Sequence, residues 1–181
     1  MHALHDLRDD TLVALAVQGD IAAFSMLASR YRARAMRVAY GILHNRADAE
    51  DAVQEAFIRV CRHLPGFRRA GRFASWVYQV VVNESLRLLR ARSGRRDQAE
   101  VDARHISFGK ADTVHTLMVR QCLAALPGKL RVVLALRGLE ELDYAEIAAI
   151  LGIPLGTVRS RLHEARRLFA KHWKEAMKDE M

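Results

Sequence analysis

The chain has 181 residues, enough for one ordinary domain or two small ones, and 51% of them are hydrophobic, ample for packed cores. Its formal net charge of +8 is unevenly placed: residues 68–96 hold eight arginines against one acid, residues 155–174 hold six basic residues against one acid, and the remainder is net acidic. Charge confined to two stripes excludes a general solubilising role and fits two separate polyanion contacts. The apolar spacing is helical nearly throughout. Residues 11–18 read as a short apolar helix broken at Gly19, and Asp20 stands as the N-cap of a long helix reaching about Leu43. Phe24, Leu27, Tyr31, Val38 and Ile42 form its inward stripe. After a turn at residues 44–46, residues 47–64 repeat the pattern, with Val53, Phe57, Val60, Cys61 and Leu64 inward and an acidic opposite side. Pro65 and Gly66 end that helix, a basic loop covers residues 67–72, and another helix spans residues 73–92. Residues 93–112 mix Gly, Ser and charges with no sustained period, the pattern of an interdomain linker. Helices at residues 113–125 and 128–139, divided at Pro127, lead into the last pair.

That last pair, LDYAEIAAILGIPLGTVRSRLHEARRLF, is the most informative stretch of the chain. Asp143 with Glu146 three residues on is a variant of the capping box that occupies free N–H groups at a helix start. Gly152 suits the left-handed backbone of a tight turn, and Pro154 restarts the chain. Ile147, Leu151, Ile153, Val158, Leu162 and Ala165 fit a shared core between two helices, which leaves Arg159, Ser160, His163, Arg166 and Arg167 outward. This is the pattern of a helix-turn-helix with an arginine-rich recognition helix, and it points to DNA. Cys61 and Cys122 lie far apart with no second pair or His cluster at ligand spacing, so no metal site or cofactor is expected. Both fall on apolar helical faces, and buried thiols are expected there. The amino terminus has acids where a secretory signal would be basic and then apolar, no stretch approaches a membrane span, and a cytoplasmic protein is expected.

Two segments carry a family resemblance. DAEDAVQEAFIRVCRHLPGFRRAGRFASWVYQVVVNESLRLLRARSGR resembles region 2 of the extracytoplasmic-function (ECF) sigma factors of bacterial RNA polymerase, and ALPGKLRVVLALRGLEELDYAEIAAILGIPLGTVRSRLHEARRLF resembles their region 4. The motifs DAEDxVQEAF, FxSWVY followed by Asn83, and GTVRSRLHEAR occur in the family's order. The resemblance implies an all-α protein of two small helical domains: residues 8–95 as region 2, residues 96–112 as linker and residues 113–175 as region 4. It implies a promoter-specificity subunit that is no enzyme and takes no small-molecule substrate. Its partners would be core RNA polymerase, promoter DNA and an anti-sigma factor, membrane-linked in many relatives.

Residue by residue, the resemblance assigns Asp48, Glu50, Asp51, Gln54 and Glu55 to docking on the clamp helices of the largest polymerase subunit, with region 4 meeting the flap. It assigns Arg68, Arg69, Ala70, Gly71, Arg72, Tyr78, Asn83, Arg87 and Arg90 to recognition and melting of the minus 10 element. Thr157, Arg159, Ser160, Arg161, His163, Glu164, Arg166 and Arg167 would read the minus 35 element. Single-strand capture needs cations for phosphates and a pocket or π-face for an unstacked base. Phe73 and Trp76 share a helical face with Val80 and are expected in the core, while Tyr78 stays open between core and stacking surface. Arg92, Arg95 and Arg96 are expected along upstream duplex phosphates with Arg87 and Arg90. The chain departs from the family's habits at Arg87, Ala70, Gly71, His163 and Glu164, so no promoter consensus transfers. Glu164 can accept from cytosine N4 or pair along its helix with Arg161 or Arg167. A polymerase-independent helix-turn-helix regulator would explain the carboxy-terminal half but leaves the acidic helix and FASWVY without a role.

Overall fold

The computed structural model describes residues 5–68, 72–96 and 114–179, and among them the fold is all-α with no strand. The helices are α1 (Asp9–Val17), α2 (Ile21–Leu43), α3 (Arg46–His63), α4 (Phe73–Arg96), α5 (Val114–Ala124), α6 (Gly128–Leu139), α7 (Tyr144–Leu151) and α8 (Leu155–Asp179). A 3-10 turn, Leu64–Gly66, follows α3. The expected linker at residues 96–112 lies outside the described residues from residue 97 onward, as do Arg69, Ala70 and Gly71 of the basic loop. Helix α4 runs to Arg96, past the end at residue 92 that its periodicity predicts.

Local chemistry sets the helix starts. Asp20 caps α2 by accepting from the Ala23 N–H at 3.0 Å, and Asn45 caps α3 by accepting from the Asp48 N–H at 3.0 Å. Each such bond satisfies a donor that the helix leaves free and is worth about 1 kcal/mol. Between them the chain reverses at His44, a left-handed residue with φ 50°. Helix α1 is tied to α2 through Asp9, which accepts from Arg30 at 2.8 Å and from the Tyr31 hydroxyl. Burial, and then the bond to Asp9, push the Tyr31 phenol well above its ordinary pKa.

Helices α2, α3 and α4 pack through a stripe in which small residues alternate with large ones. Ala23, Leu27, Ala35, Val38 and Ile42 of α2 meet Ala49, Ala52, Val53, Ala56 and Val60 of α3 and Phe73, Val77 and Val81 of α4, all buried. The alanines let the helix axes approach, and a reading that follows only bulky residues passes over them. Phe24 is half-buried and packs against the core, in line with its expected inward side, whereas Cys61 is exposed, contrary to the inward placement expected for it. The stripe Val53, Phe57, Val60, Leu64 keeps to one side of α3, and Cys61 lies one residue, about 100°, past Val60. Cys122 is buried as expected, and burial raises its thiol pKa.

The carboxy-terminal helices share this core. Val132, Val133, Ala135 and Leu136 of α6, Ile147 and Ile150 of α7, and Val158 and Leu162 of α8 form one contiguous apolar cluster with α2 and α4. Helices α2 and α6 come close at Gly41, where a Cβ would lie 2.7 Å from Leu139 Cδ1 and 3.1 Å from Ala135 Cβ. Beside that point Arg131 of α6 donates from Nη1 to the Ile42 carbonyl at 2.8 Å, holding the last turn of α2.

Candidate nucleic-acid interface

The expected capping box is complete. Asp143 accepts from the Glu146 N–H at 2.8 Å, and Glu146 accepts from the Asp143 N–H at 2.7 Å. The turn residue Gly152 has φ 62° and closes α7 through its N–H to the Ala148 carbonyl. Ile147, Ile150, Val158 and Leu162 are buried in one apolar cluster, and Ala165 is buried as well. Leu151 and Ile153 are half-buried, and Ile150, which the sequence reading passed over, takes a fully interior place. This core turns Arg159, Ser160, His163, Glu164, Arg166 and Arg167 into solvent along one face of α8. Thr157 is half-buried and its carbonyl accepts from the Ser160 hydroxyl at 3.1 Å. Arg161 points away from that face and is half-buried at the wall of a cleft shared with α4.

The second basic surface follows α4. Phe73 is buried and Trp76 half-buried, as expected for core-facing rings. Trp76 stacks on Phe67 with centroids 4.7 Å apart and planes 18° from parallel, so Phe67 carries the loop down onto the helix. Arg68 bends back to the Pro65 carbonyl at 2.9 Å and Arg72 is exposed. Tyr78 is only 3% exposed, and its hydroxyl donates to Glu140 at 2.8 Å. Burial, and then this bond, raise its phenol pKa, and no stacking face is open to a base. Asn83 and Arg90 are exposed, and both line the cleft against α6, α7 and α8. Arg92 is engaged with Asp48 and is not a free phosphate contact.

Glu84 is a buried, doubly paired acid beside this surface that the motifs do not reveal. Its side chain is buried, with Arg59 Nε of α3 at 3.0 Å and Arg87 Nε of α4 at 2.8 Å. The hydrogen bond to Glu84, and then its charge, raise the Arg87 pKa. With Nε held and 54% of the side chain exposed, the Arg87 guanidinium remains accessible to a phosphate. The signal was present in the sequence as the single acid within the basic stripe.

On the far side of α3, Glu50, Asp51 and Gln54 are exposed, while Glu55 is partly covered and accepts from Arg59 at 3.2 Å. Asp48 departs from the expected exposed position: its side chain is 21% exposed and pairs with Arg92 of α4. It joins α3 to α4 instead of facing outward. Glu50 and Gln54 rim a groove of about 700 Å³ between α2 and α3, floored by Phe24, Val53 and Phe57 and closed by Ile58 and the exposed Cys61. Its charged lining is one acid, Glu50, and one base, Arg32, and an apolar trough of this kind suits an amphipathic protein partner better than DNA.

The cleft where both basic surfaces meet has a volume of about 480 Å³ and is lined by Gln79, Asn83, Leu86, Arg90, Lys129 and Arg161, among others. At the other end of α6 the helices are tied by its C-cap, Glu140, which Arg37 contacts at 2.8 Å and Arg34 at 3.8 Å. His44, buried near Arg131 and Arg120, has its pKa lowered to about 4, by burial first and then by those charges. Among the described residues no group of His, Cys, Asp or Glu could hold a metal ion, and no helix is long and apolar enough to cross a membrane.

Comparisons with known proteins match both halves of the chain. The family model for Sigma-70 region 2 matches residues 27–95, and that for Sigma-70, region 4 matches residues 116–169. The chain is 33% identical to the RNA polymerase sigma-H factor of Pseudomonas aeruginosa, over 91% of this chain and 93% of that one. It is 35% identical to the ECF RNA polymerase sigma-E factor of Escherichia coli K12, over 88% and 91%. Among solved structures, CnrH in complex with the cytosolic domain of CnrY matches with TM-score 0.70 and 24% identity, over 90% of this chain and 95% of that one. The sigma factor RpoE of Bartonella quintana, in complex with the anti-sigma factor NepR, matches with TM-score 0.72 and 20% identity, over 85% and 98%. These two likenesses show a shared fold.

Proposed function

The chain belongs to the ECF group of the sigma-70 family, and from that premise we propose how its surfaces divide the work of directing core RNA polymerase to promoters. Residues 8–95 act as region 2 and residues 113–175 as region 4. The carrying observation is the exposed arginine face of α8, seated by the capped helix α7 and the Gly152 turn. Arg159 and Ser160, nearest the amino-terminal end of α8, enter the major groove and read the minus 35 element together with Thr157 and His163. Arg166 and Arg167 anchor on phosphates, Arg161 approaches from the cleft side, and Glu164 either accepts from a base or orders its neighbours.

Region 2 melts and reads the minus 10 element through the loop of Arg68, Arg69, Ala70, Gly71 and Arg72 and the α4 face of Asn83, Arg87 and Arg90. An amide that both donates and accepts, as in Asn83, can read the edge of an unstacked base. Tyr78 joins that surface only when Glu140 is displaced. Glu50, Asp51, Gln54 and Glu55, with the trough behind them, dock on the clamp helices of the largest polymerase subunit, and Asp48 fixes the helix that carries them. Region 4 meets the flap. The protein works in the cytoplasm, catalyses nothing itself, and is held inactive by an anti-sigma factor; the Bartonella quintana sigma factor RpoE forms a complex with the anti-sigma factor NepR.

Initiation in vitro with purified core enzyme tests this reading. Adding the protein to core should yield specific transcripts from a cognate promoter, with weak binding of duplex promoter DNA by the protein alone. Strong specific duplex binding that gains nothing from core would favour the polymerase-independent regulator.

A further inference from the structure

We infer that Arg34, Arg37 and Tyr78 form a carboxylate-binding site on region 2 whose occupant is Glu140 of region 4, and that filling it masks the Tyr78 and Asn83 part of the minus 10 surface of the free protein. The assignment of that surface rests on the proposed function; the site itself rests on geometry alone. Glu140 is drawn from the carboxy-terminal half of the chain, yet all its polar partners lie in the amino-terminal half. Arg37 approaches one carboxylate oxygen with Nε and Nη2, both at 2.8 Å. Tyr78 donates to the other at 2.8 Å, and Arg34 stands 3.8 Å from it. The Glu140 side chain is left 3% exposed.

Two features of Glu140 make sense only through this contact. It caps the carboxyl end of α6, where the helix dipole disfavours a negative charge, so it does not serve its own helix. The next residue, Glu141, takes φ 54°, a left-handed conformation unfavourable for a residue with a side chain. That turn is braced by Arg137, which donates to the Glu141 and Leu142 carbonyls at 3.3 and 3.0 Å. The backbone is thus held so that the Glu140 carboxylate reaches region 2. Arg34 and Arg37 keep 58% and 49% of their side-chain surface exposed, so both stay hydrated when Glu140 leaves and the site can open reversibly.

Closing the site has an asymmetric effect. Tyr78 is covered, and Asn83 faces a cleft whose other wall is Lys129, Val132, Ile150 and Arg161. A splayed base reaching Asn83 would share the cleft with that wall. The outer face of α8, from Arg159 to Arg167, stays in solvent. Free protein therefore keeps its minus 35 face exposed while Tyr78 is withdrawn from its minus 10 surface and the Asn83 side of that surface is walled by region 4, with Arg72, Arg87 and Arg90 left in solvent.

Small-angle scattering of the full chain without polymerase tests the site. Wild type should be compact. Glu140→Arg should expand it, and the pair Glu140→Arg with Arg37→Glu should restore compaction; far-UV circular dichroism checks that every variant is folded. The milder Glu140→Gln should raise the open-to-closed ratio about ten-fold, the scale of losing one charge-assisted hydrogen bond. A second arm titrates the free protein with a minus 10 single-strand oligonucleotide, where Glu140→Gln should tighten binding by a similar factor. Unchanged scattering in both Glu140→Arg and Glu140→Gln overturns the site. Expansion without tighter strand binding, in a wild type that still initiates with core, refutes the masking of the minus 10 surface. Failure of wild type to initiate with core refutes the proposed function instead.

Discussion

Replacing Asp143 separates hydrogen-bond capping from charge at the start of α7. Asp143→Ala deletes the acceptor of the 2.8 Å bond from the Glu146 N–H, while the reciprocal bond from the Asp143 N–H to Glu146 survives because its donor is backbone. Both residues are exposed, so water replaces part of what is lost, and an N-cap change of this kind costs about 1 kcal/mol. Loss of the negative charge at the helix start adds about 0.3–1 kcal/mol at low salt. Helix α7 has 8 residues, too few to persist alone, so the cap works together with the packing of Ile147 and Ile150. Because both halves share one apolar cluster, the chain should unfold as one unit of the size for which 1 kcal/mol shifts Tm by about 2–4 °C. Asp143→Ala should then lower Tm by about 3–8 °C. Asp143→Asn keeps the acceptor and loses only the charge, so it should lower Tm by about 1–4 °C at low salt and by almost nothing at high salt. Thermal unfolding followed by far-UV circular dichroism at both salt levels measures all of this. Equal losses for Asn and Ala would refute the cap, and two separate melting transitions would refute the single unit.

On the recognition helix, Arg159→Ala should cost about 1–3 kcal/mol at the cognate minus 35 element and relax preference at one or two base pairs, whereas Arg167→Ala should weaken all sequences alike and flatten the salt slope by about one unit. Transcription from a library of randomised minus 35 elements reads both, and the opposite pattern would show the helix register to be wrong. On α3, lysine at both Asp51 and Gln54 should abolish retention of core polymerase in a pull-down while Tm stays nearly unchanged, since both side chains are exposed. The buried His44 gives a pH signature. Its folded-state pKa of about 4 lies below the ordinary 6.5, so the unfolded chain binds the extra proton first, and stability present above pH 6.5 is lost as pH falls toward 4. The full loss is about 3 kcal/mol. Asn tolerates the left-handed φ of 50°, so His44→Asn should flatten this part of a urea-midpoint profile; an unchanged slope there would refute the assignment.

What was legible in the sequence was what neighbouring residues decide among themselves. Asp20, Asp143, Glu146 and Gly152 act within one helical turn of where they sit, and each stands where its local pattern put it. The outward face of α8 was legible because arginines and apolar residues alternate there with helical period. The unread features are joined across long stretches of chain. Tyr78 stayed open between two roles because its deciding partner, Glu140, lies 62 residues on. Asp48 looked exposed because nothing near it in sequence shows Arg92 reaching across from α4. Cys61 is apolar at helical spacing from Phe57, yet it fell outside because the position of α2 selects which side of α3 is covered. Buried acids mark such places, and neither Glu84 nor Glu140 belongs to a helical pattern that would explain it.

The close approach at Gly41 bears on the exchange of promoter-reading modules between sigma factors. A chimera that keeps residues up to the linker and takes its carboxy-terminal half from a relative also inherits that relative's residues opposite Gly41. Bulk at the position of Ala135, 3.1 Å from where a Cβ on Gly41 would stand, pushes the new module off α2 and withdraws the Arg131 grip on the Ile42 carbonyl. The hybrid could keep its DNA-reading side chains and lose the contact between its halves. Grafting only the solvent face of α8 onto this scaffold leaves that contact intact, so transplants of a few side chains should behave more predictably than transplants of whole domains.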